Sequence, residues 1–227
     1  MTDIINKYGD KLVETTGAHG ADISSQRMDD LDISSLTYAL SLKKGKKTAL
    51  DLGCGKGFHS LRLALLGVNV HMYDILDITQ DIDLIKKTIP LSDESLSFYN
   101  KKIEDVIFDS GVMFDIVYSQ RFIHYLRYDA AVELVKKIYN HTLKDGKVFI
   151  SASGMNSELS SNYSCKNYPI QKRFGLLSDE MADTHGIKMP VCLYYPHELD
   201  ELFLSEGFKT VKTETSLFGN VKAIFQK

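Results

Sequence analysis

The stretch Asp51-Leu52-Gly53-Cys54-Gly55-Lys56-Gly57 sets one carboxylate beside three glycines at alternate positions. Thr48-Ala49-Leu50 leads in like a short strand. A helical pattern follows, with Phe58, Leu61 and Leu65 on one face and Gly67 where a C-terminal cap belongs. Glycines between a strand and a helix N-terminus allow a tight turn and a close approach of a ligand to the backbone. The chemistry this suits is nucleotide binding, and the spacing narrows it. A dinucleotide fingerprint needs glycines at positions one, three and six, and the sixth residue from Gly53 is Phe58. A Walker loop ends in Gly-Lys-Ser/Thr, whereas Lys56 is followed by Gly57. The expected ligand is therefore a nucleoside without a pyrophosphate. A second acid, Asp74, closes the apolar run Val68–Tyr73 and lies 17 residues beyond Gly57 (74 − 57). Near that separation a carboxylate accepts from ribose hydroxyls in αβ nucleotide folds.

The run Leu50–Gly57 resembles the first motif of class I S-adenosylmethionine-dependent methyltransferases, and Asp74 resembles the family's ribose-binding acid. The resemblance covers about residues 47–152 and 196–227. It implies an α/β, Rossmann-like class I fold: a mostly parallel seven-stranded sheet with an antiparallel last strand and helices on both faces. It implies S-adenosyl-L-methionine as cofactor. The implied cofactor-binding residues are Asp51, Gly53, Cys54, Gly55, Gly57, Asp74, Ile75, Ile103, Glu104 and Ser119. Asp51 would order the glycine turn or hold the cofactor's amino group. The three glycines would make room for methionine and ribose, and Ser119 would offer its carbonyl to the ammonium. After the third strand the family often reads Asp-Ala-Glu-Asp, its first acid reaching adenine; here Lys102-Ile103-Glu104-Asp105 puts a lysine at that position. That leaves the Ile103 N–H for the adenine ring and Glu104 or Asp105 for its amino group, or else a plain acid-rich helix start.

Ser119-Gln120-Arg121-Phe122-Ile123-His124-Tyr125-Leu126 leaves the carboxyl end of the fourth strand, where open αβ sheets bind ligands. It resembles the family's fourth motif. If His124 faces the cleft, it is the expected general base or acceptor contact, with Tyr125 a weaker candidate. His19, Arg27, Tyr163, His185 and Tyr194 belong to segments able to cover an acceptor. The helix Gly57–Gly67 is similar to that of tellurite-resistance-type methyltransferases, over a stretch that assigns no substrate.

The elements that position these groups read as follows. Residues 1–46 form an N-terminal helical cap, with helices over Asp3–Glu14 and from about Ser24 to Leu42, the latter burying Leu36, Ala39 and Leu40 and ending in Lys43–Lys47. Residues 47–227 form the methyltransferase core. Within it, strands at Val68–Tyr73, Leu96–Tyr99, Phe114–Tyr118 and Lys147–Ser151 alternate with helices at Ile78–Ile89 and around Ala131–Ile138. Residues 153–195 interrupt the alternation as a lid-like insertion with enough apolar residues to pack. Pro196 opens a helix that Gly207 ends, and Phe208–Thr215 with Leu217–Phe225 should pair antiparallel.

The chain has 227 residues, 44% hydrophobic and 25% charged, with a net charge of 27 − 30 = −3. That suits one domain with a full core and no general attraction to nucleic acid. Cys54, Cys165 and Cys192 lack metal-ligand spacing, and no metal is expected. An odd cysteine count without a signal-like start points to reduced thiols and a cytoplasmic location. No apolar run approaches the ~20 residues a membrane span needs. The expected function is methyl transfer by direct in-line displacement to a small-molecule acceptor. The competing readings are a protein or RNA methyltransferase and a cofactor-binding protein without turnover. No Asn/Asp-Pro-Pro-aromatic motif of exocyclic-amine methyltransferases follows the fourth strand.

Overall fold

The computed structural model describes residues 4–5, 9, 11–12, 19–20, 26–43, 45–106, 108 and 111–227. Seven strands form one sheet: β1 (Lys47–Leu52), β2 (Val68–Asp74), β3 (Leu96–Asn100), β4 (Phe114–Gln120), β5 (Thr142–Ala152), β6 (Lys209–Thr215) and β7 (Val221–Gln226). Their order is β6-β7-β5-β4-β1-β2-β3. Strands β1 to β5 pair in parallel, and β7 inserts antiparallel between β5 and β6. This is the expected sheet. The central strands are apolar on both faces because both faces are covered.

One face carries α1 (Asp30–Ser41), α2 (Phe58–Leu65) and α3 (Thr79–Thr88), which bury Leu31, Ala39, Leu63, Ala64 and Ile82 against Ala49, Val70 and Ile116. The other carries α4 (Tyr128–His141) and α6 (Pro196–Leu204), which bury Leu134, Val135, Ile138, Leu199 and Phe203 against Leu50, Val117 and Val148. The crossovers leave the glycine turn, Asp74 and the residues after β4 at one edge of the sheet.

Several expectations need correction. Ile4–Ile5 and Lys11–Leu12 pair as a short antiparallel ladder rather than a helix. Much of residues 1–25, including the break at Gly17-Ala18, lies outside the described residues. Helix α1 starts at Asp30 because Asp29 caps it: its side chain accepts from the Leu31 and Asp32 amides, and the Asp32 carboxylate accepts in turn from the Asp29 amide. Leu40 is exposed, and the buried face is Leu31, Asp32, Ser35 and Ala39. In α2 the buried residues are His59, Ser60, Leu63 and Ala64, while Phe58 and Leu65 face out. The left-handed Gly57 directly precedes this helix. Strand β5 begins at Thr142, and the expected Asp145-Gly146 turn survives as an irregularity inside it, with Asp145 at φ 66.

The insertion packs as expected. Its ends lie side by side, the Met155 amide donating to Tyr194 O and the Tyr194 amide to Ser153 O. It contains α5 (Asp179–His185) and a core of its own: Met155, Leu159, Tyr163, Leu177, Met181, Ile187, Val191 and Leu193. Arg173 pins this unit to α6. Its guanidinium donates to Glu198 Oε2 at 2.6 Å, Leu193 O at 3.0 Å and Tyr168 O at 3.0 Å, and Glu198 Oε2 also accepts from the Tyr195 amide at 2.8 Å. Arg173 is 5% exposed, so each charge relies on the other. Replacing Arg173 by Met strands the Glu198 carboxylate and should cost about 3–5 kcal/mol in urea denaturation. The double change Arg173→Met with Glu198→Leu should cost less than Arg173→Met alone, since a buried pair costs most when only one partner is lost.

Candidate functional site

A cavity of about 370 Å³ opens where the expected edge of the sheet lies. That is at the lower end of the range of small-molecule sites, roughly 300–1,000 Å³. Its wall draws on the turn after β1, the ends of β2, β3 and β4, the start of α2, and two segments from above: His19-Gly20 and Met189.

The glycine turn is built by left-handed backbone. Gly53, Gly55 and Gly57 have φ of 70, 54 and 75. A Cβ on Gly53 would stand 2.7 Å from the Phe122 side chain, so the residues after β4 press directly on the turn. A Cβ on Gly57 would meet Met72 at 2.6 Å. Gly53, Cys54 and Gly55 line the cavity; Gly57 lies behind it and starts α2.

Asp74 ties the turn to β2. Its Oδ2 accepts from the Gly55 amide at 2.7 Å and its Oδ1 from the Leu76 amide at 2.8 Å. Burial pushes its carboxyl above the ordinary range against these two bonds. Each oxygen keeps an acceptor site, and the residue faces the cavity. Ile75 and Leu76 line the wall beside it. Beyond β3, Lys102, Ile103 and Glu104 line the cavity on a short 3₁₀ turn, with Ile103 buried and Asp105 outside the wall.

Beneath the turn lie two carboxylates in different circumstances. Asp51 is 2% exposed and receives one side-chain bond, from Ser60 Oγ at 2.5 Å. Burial pushes its carboxyl from 3.8 up to about 6. Asp32 is equally buried, but it receives Tyr118 Oη at 2.6 Å and lies 2.9 Å from His59 Nδ1. Burial raises it too, yet these partners and the Asp29 amide outweigh burial and hold it below its ordinary value. The His59 ring stacks on Tyr118 at 3.7 Å, and both rings line the cavity. Ser35 Oγ is 2.9 Å from His59 Nε2, which gives an Asp–His–Ser alignment. It is no nucleophilic site, because Ser35 is fully buried and outside the cavity wall.

His124 does not face the cleft. It is 0% exposed and absent from the wall. Its Nδ1 faces the Ser153 amide, which donates at 3.3 Å, so the proton of the neutral ring sits on Nε2. Burial, and then the nearby charge of Arg121, hold its pKa well below the ordinary value. A ring whose basic nitrogen already holds an amide proton does not serve as a general base. Ser119 also lies behind the wall, its hydroxyl donating to Leu52 O at 3.1 Å. Of the weaker candidates, His19 and Tyr125 line the cavity, the Tyr125 hydroxyl donating to His19 O. Burial pushes the Tyr125 phenol up to about 12. Tyr163 and Tyr194 are buried in the insertion, His185 lies 2.9 Å from Glu158, and Arg27 lies over the Phe218 ring. His59, Tyr118, Gln120, Arg121, Phe122 and Met189 also line the cavity; the sequence places Gln120-Arg121-Phe122 in the loop after the fourth strand but gives none of the six an individual role. His59 was accessible in principle, standing two residues after the last glycine of the turn. Met189 was not, because only the insertion's path brings it there.

The raised Asp51 carboxyl has a consequence for stability. The folded state prefers the protonated form, so stability falls as pH rises from about 4 through about 6. Asp51→Asn should therefore match the parent near pH 4 and exceed it near pH 7, by about 1.4 kcal/mol for each unit of the shift removed. Urea melts across that range read the effect directly.

Residues 49–146 match the family described as a methyltransferase domain. Comparison with curated proteins finds no match. Among solved structures, the Burkholderia thailandensis 1,6-didemethyltoxoflavin-N1-methyltransferase, solved with 1,6-didemethyltoxoflavin and S-adenosylhomocysteine, aligns with TM-score 0.63 at 16% identity over 91% of this chain and 81% of its own. A SAM-dependent methyltransferase from Methanosarcina mazei aligns with TM-score 0.60 at 20% identity over 82% and 95%. The magnesium protoporphyrin IX methyltransferase of Synechocystis, solved with S-adenosylhomocysteine, aligns with TM-score 0.62 at 12% identity over 90% and 84%. At these identities the likeness is one of fold. Together with the domain match over residues 49–146 and the strand order, it shows the fold that class I S-adenosylmethionine-dependent methyltransferases share.

Proposed function

We propose that this protein binds S-adenosyl-L-methionine in the cavity and transfers its methyl group to a small-molecule acceptor. The observation that carries the reading is the 2.7 Å bond from the Gly55 amide to Asp74, which holds a buried carboxylate against a glycine turn in one cavity wall. The pairing suits a ribose diol beside a chain that has no Cβ to exclude it. Two of the fold's neighbours, solved with S-adenosylhomocysteine, are named for small-molecule substrates, 1,6-didemethyltoxoflavin and magnesium protoporphyrin IX.

When bound, the cofactor supplies a methyl group on a sulfonium that departs as a neutral thioether. The protein's work is to hold, orient and dry the site. Asp74 takes the ribose hydroxyls. Gly53, Cys54 and Gly55 pass beneath the ribose and methionine. Ile75 and Ile103 flank the adenine, and Glu104 is the acid within reach of its amino group. Asp51, below the turn, faces the cofactor ammonium, which restores the charge balance that burial denies it alone. His19, Tyr125 and Met189 exclude water from above, and holding two reactants in line in a dry site is worth up to ~7–11 kcal/mol in model reactions. A general base is needed only for an acceptor that keeps its proton at neutral pH. Residues 1–46 and 153–195 act in this reading as cap and lid over the core of 47–227.

Asp74→Ala should weaken binding of S-adenosylhomocysteine by about tenfold or more, the worth of a charged hydrogen bond of ~1.5–3 kcal/mol, while circular dichroism stays unchanged. Isothermal titration measures it, and an unchanged affinity removes Asp74 from the site.

A further inference from the structure

The charges around the cavity are unevenly placed. Asp51, Asp74, Glu104, Lys101 and Lys102 all come from the ends of β1, β2 and β3, the half assigned above to the cofactor. The other half is walled by Gln120, Arg121, Phe122, Tyr125 and Leu126 after β4, with His19, Gly20 and Met189 above. Among the described residues lining that half there is no carboxylate, and Arg121 is its one permanent charge. His19 is the one imidazole among the described residues of that half, and burial lowers its pKa against the pull of the Asp74 carboxylate.

Arg121 is held in an unfavourable backbone conformation. Its φ is 54, and the only other non-glycine residues with positive φ among those described are Asp145 and Asn162, types that tolerate the left-handed region. A long side chain disfavours that conformation. The surroundings enforce it: the Arg121 amide donates to both Ser151 O and Ser151 Oγ at 3.0 Å. The next residue, Phe122, packs on Gly53. The strained turn thus delivers a guanidinium to the cavity wall, where no described residue pairs with it. Its charge is felt at His124 and Tyr125, on the β4 side.

We propose that Arg121 binds an acidic group of the methyl acceptor, so that the substrate is a small anion carrying a carboxylate or a phosphate away from the methylated atom. A guanidinium matches both groups through two parallel hydrogen bonds. Gln120 extends the wall beside it, but its amide nitrogen is already committed to Asp29 at 2.7 Å. This inference rests on the methyl-transfer reading and adds the charge class of its substrate.

The test uses the full chain with labelled S-adenosylmethionine and a protein-free metabolite extract. The extract is first split on a strong anion exchanger into retained and unretained compounds. The expected result is label entering acceptors from the retained fraction. Arg121→Gln should then raise the apparent KM about tenfold or more with a smaller change in kcat, and Arg121→Lys should recover part of the loss. Phosphatase treatment of the retained fraction abolishes labelling for a phosphate and spares it for a carboxylate. S-adenosylhomocysteine affinity and thermal melting of both variants should match the parent. Label entering the unretained fraction overturns the proposal. So does a tenfold loss of S-adenosylhomocysteine affinity in Arg121→Gln, which would put the guanidinium on the cofactor's carboxylate. Label in neither fraction, with S-adenosylhomocysteine binding intact, overturns methyl transfer and this inference together; absent binding overturns the cofactor reading and, with it, both.

Discussion

A carboxylate taken out of water at the end of a central strand is the constraint on which the site depends. Asp74 could not be buried there unless something satisfied it, and the Gly55 and Leu76 amides do so. The Gly55 amide can point at Asp74 because φ at Gly55 is 54 and at Gly53 is 70, angles that no β-branched or bulky residue holds easily. The same angles bring the chain close enough to Phe122 that a Cβ on Gly53 would stand 2.7 Å from it. One electrostatic demand therefore sets the shape of the turn, and the shape of the turn sets where the chain after β4 must run.

The floor of the cavity applies the same logic with opposite outcomes. Asp32 meets Tyr118 and His59 and ionises readily, so it serves as a structural tie between α1, α2 and β4. Among the described residues Asp51 accepts a side-chain bond from Ser60 alone, and burial pushes its carboxyl up to about 6. A carboxylate left short of partners weakens the fold at neutral pH, and such a cost persists where a bound cation relieves it. Both acids are almost out of contact with solvent, and Asp32 has the richer set of partners.

The fold was legible because parallel strands buried on both faces read as apolar runs, and because the glycine turn and Asp74 are signals carried by a few adjacent residues. Pro196 and Gly207 likewise marked the last helix by backbone chemistry alone. Side-chain direction was less legible. His124 stands in a plausible loop, yet which way its ring turns is decided by the Ser153 amide, 29 positions away. The buried face of α2 is likewise hard to read, because apolar spacing over so short a helix leaves few positions to fix it. Arg121 was invisible as a special position because nothing in its identity announces a φ of 54; Ser151 on β5 imposes it.

The upper wall shows why a site can be complete only when distant segments meet. His19-Gly20 is joined to the insertion by a backbone bond from the Gly20 amide to Gly186 O and by the bridge from His19 to Ile187. Tyr125 then bonds His19 from below while packing against the insertion's own core. Three segments that share no element thus close one wall, two of them through backbone groups and Tyr125 through its hydroxyl. The insertion holds its place because Arg173 and Glu198 fix it to α6, which packs on the sheet's opposite face. The cavity's cover is therefore tied to the core on the far side of the sheet, so a change at Arg173 can reach the cavity wall without touching it.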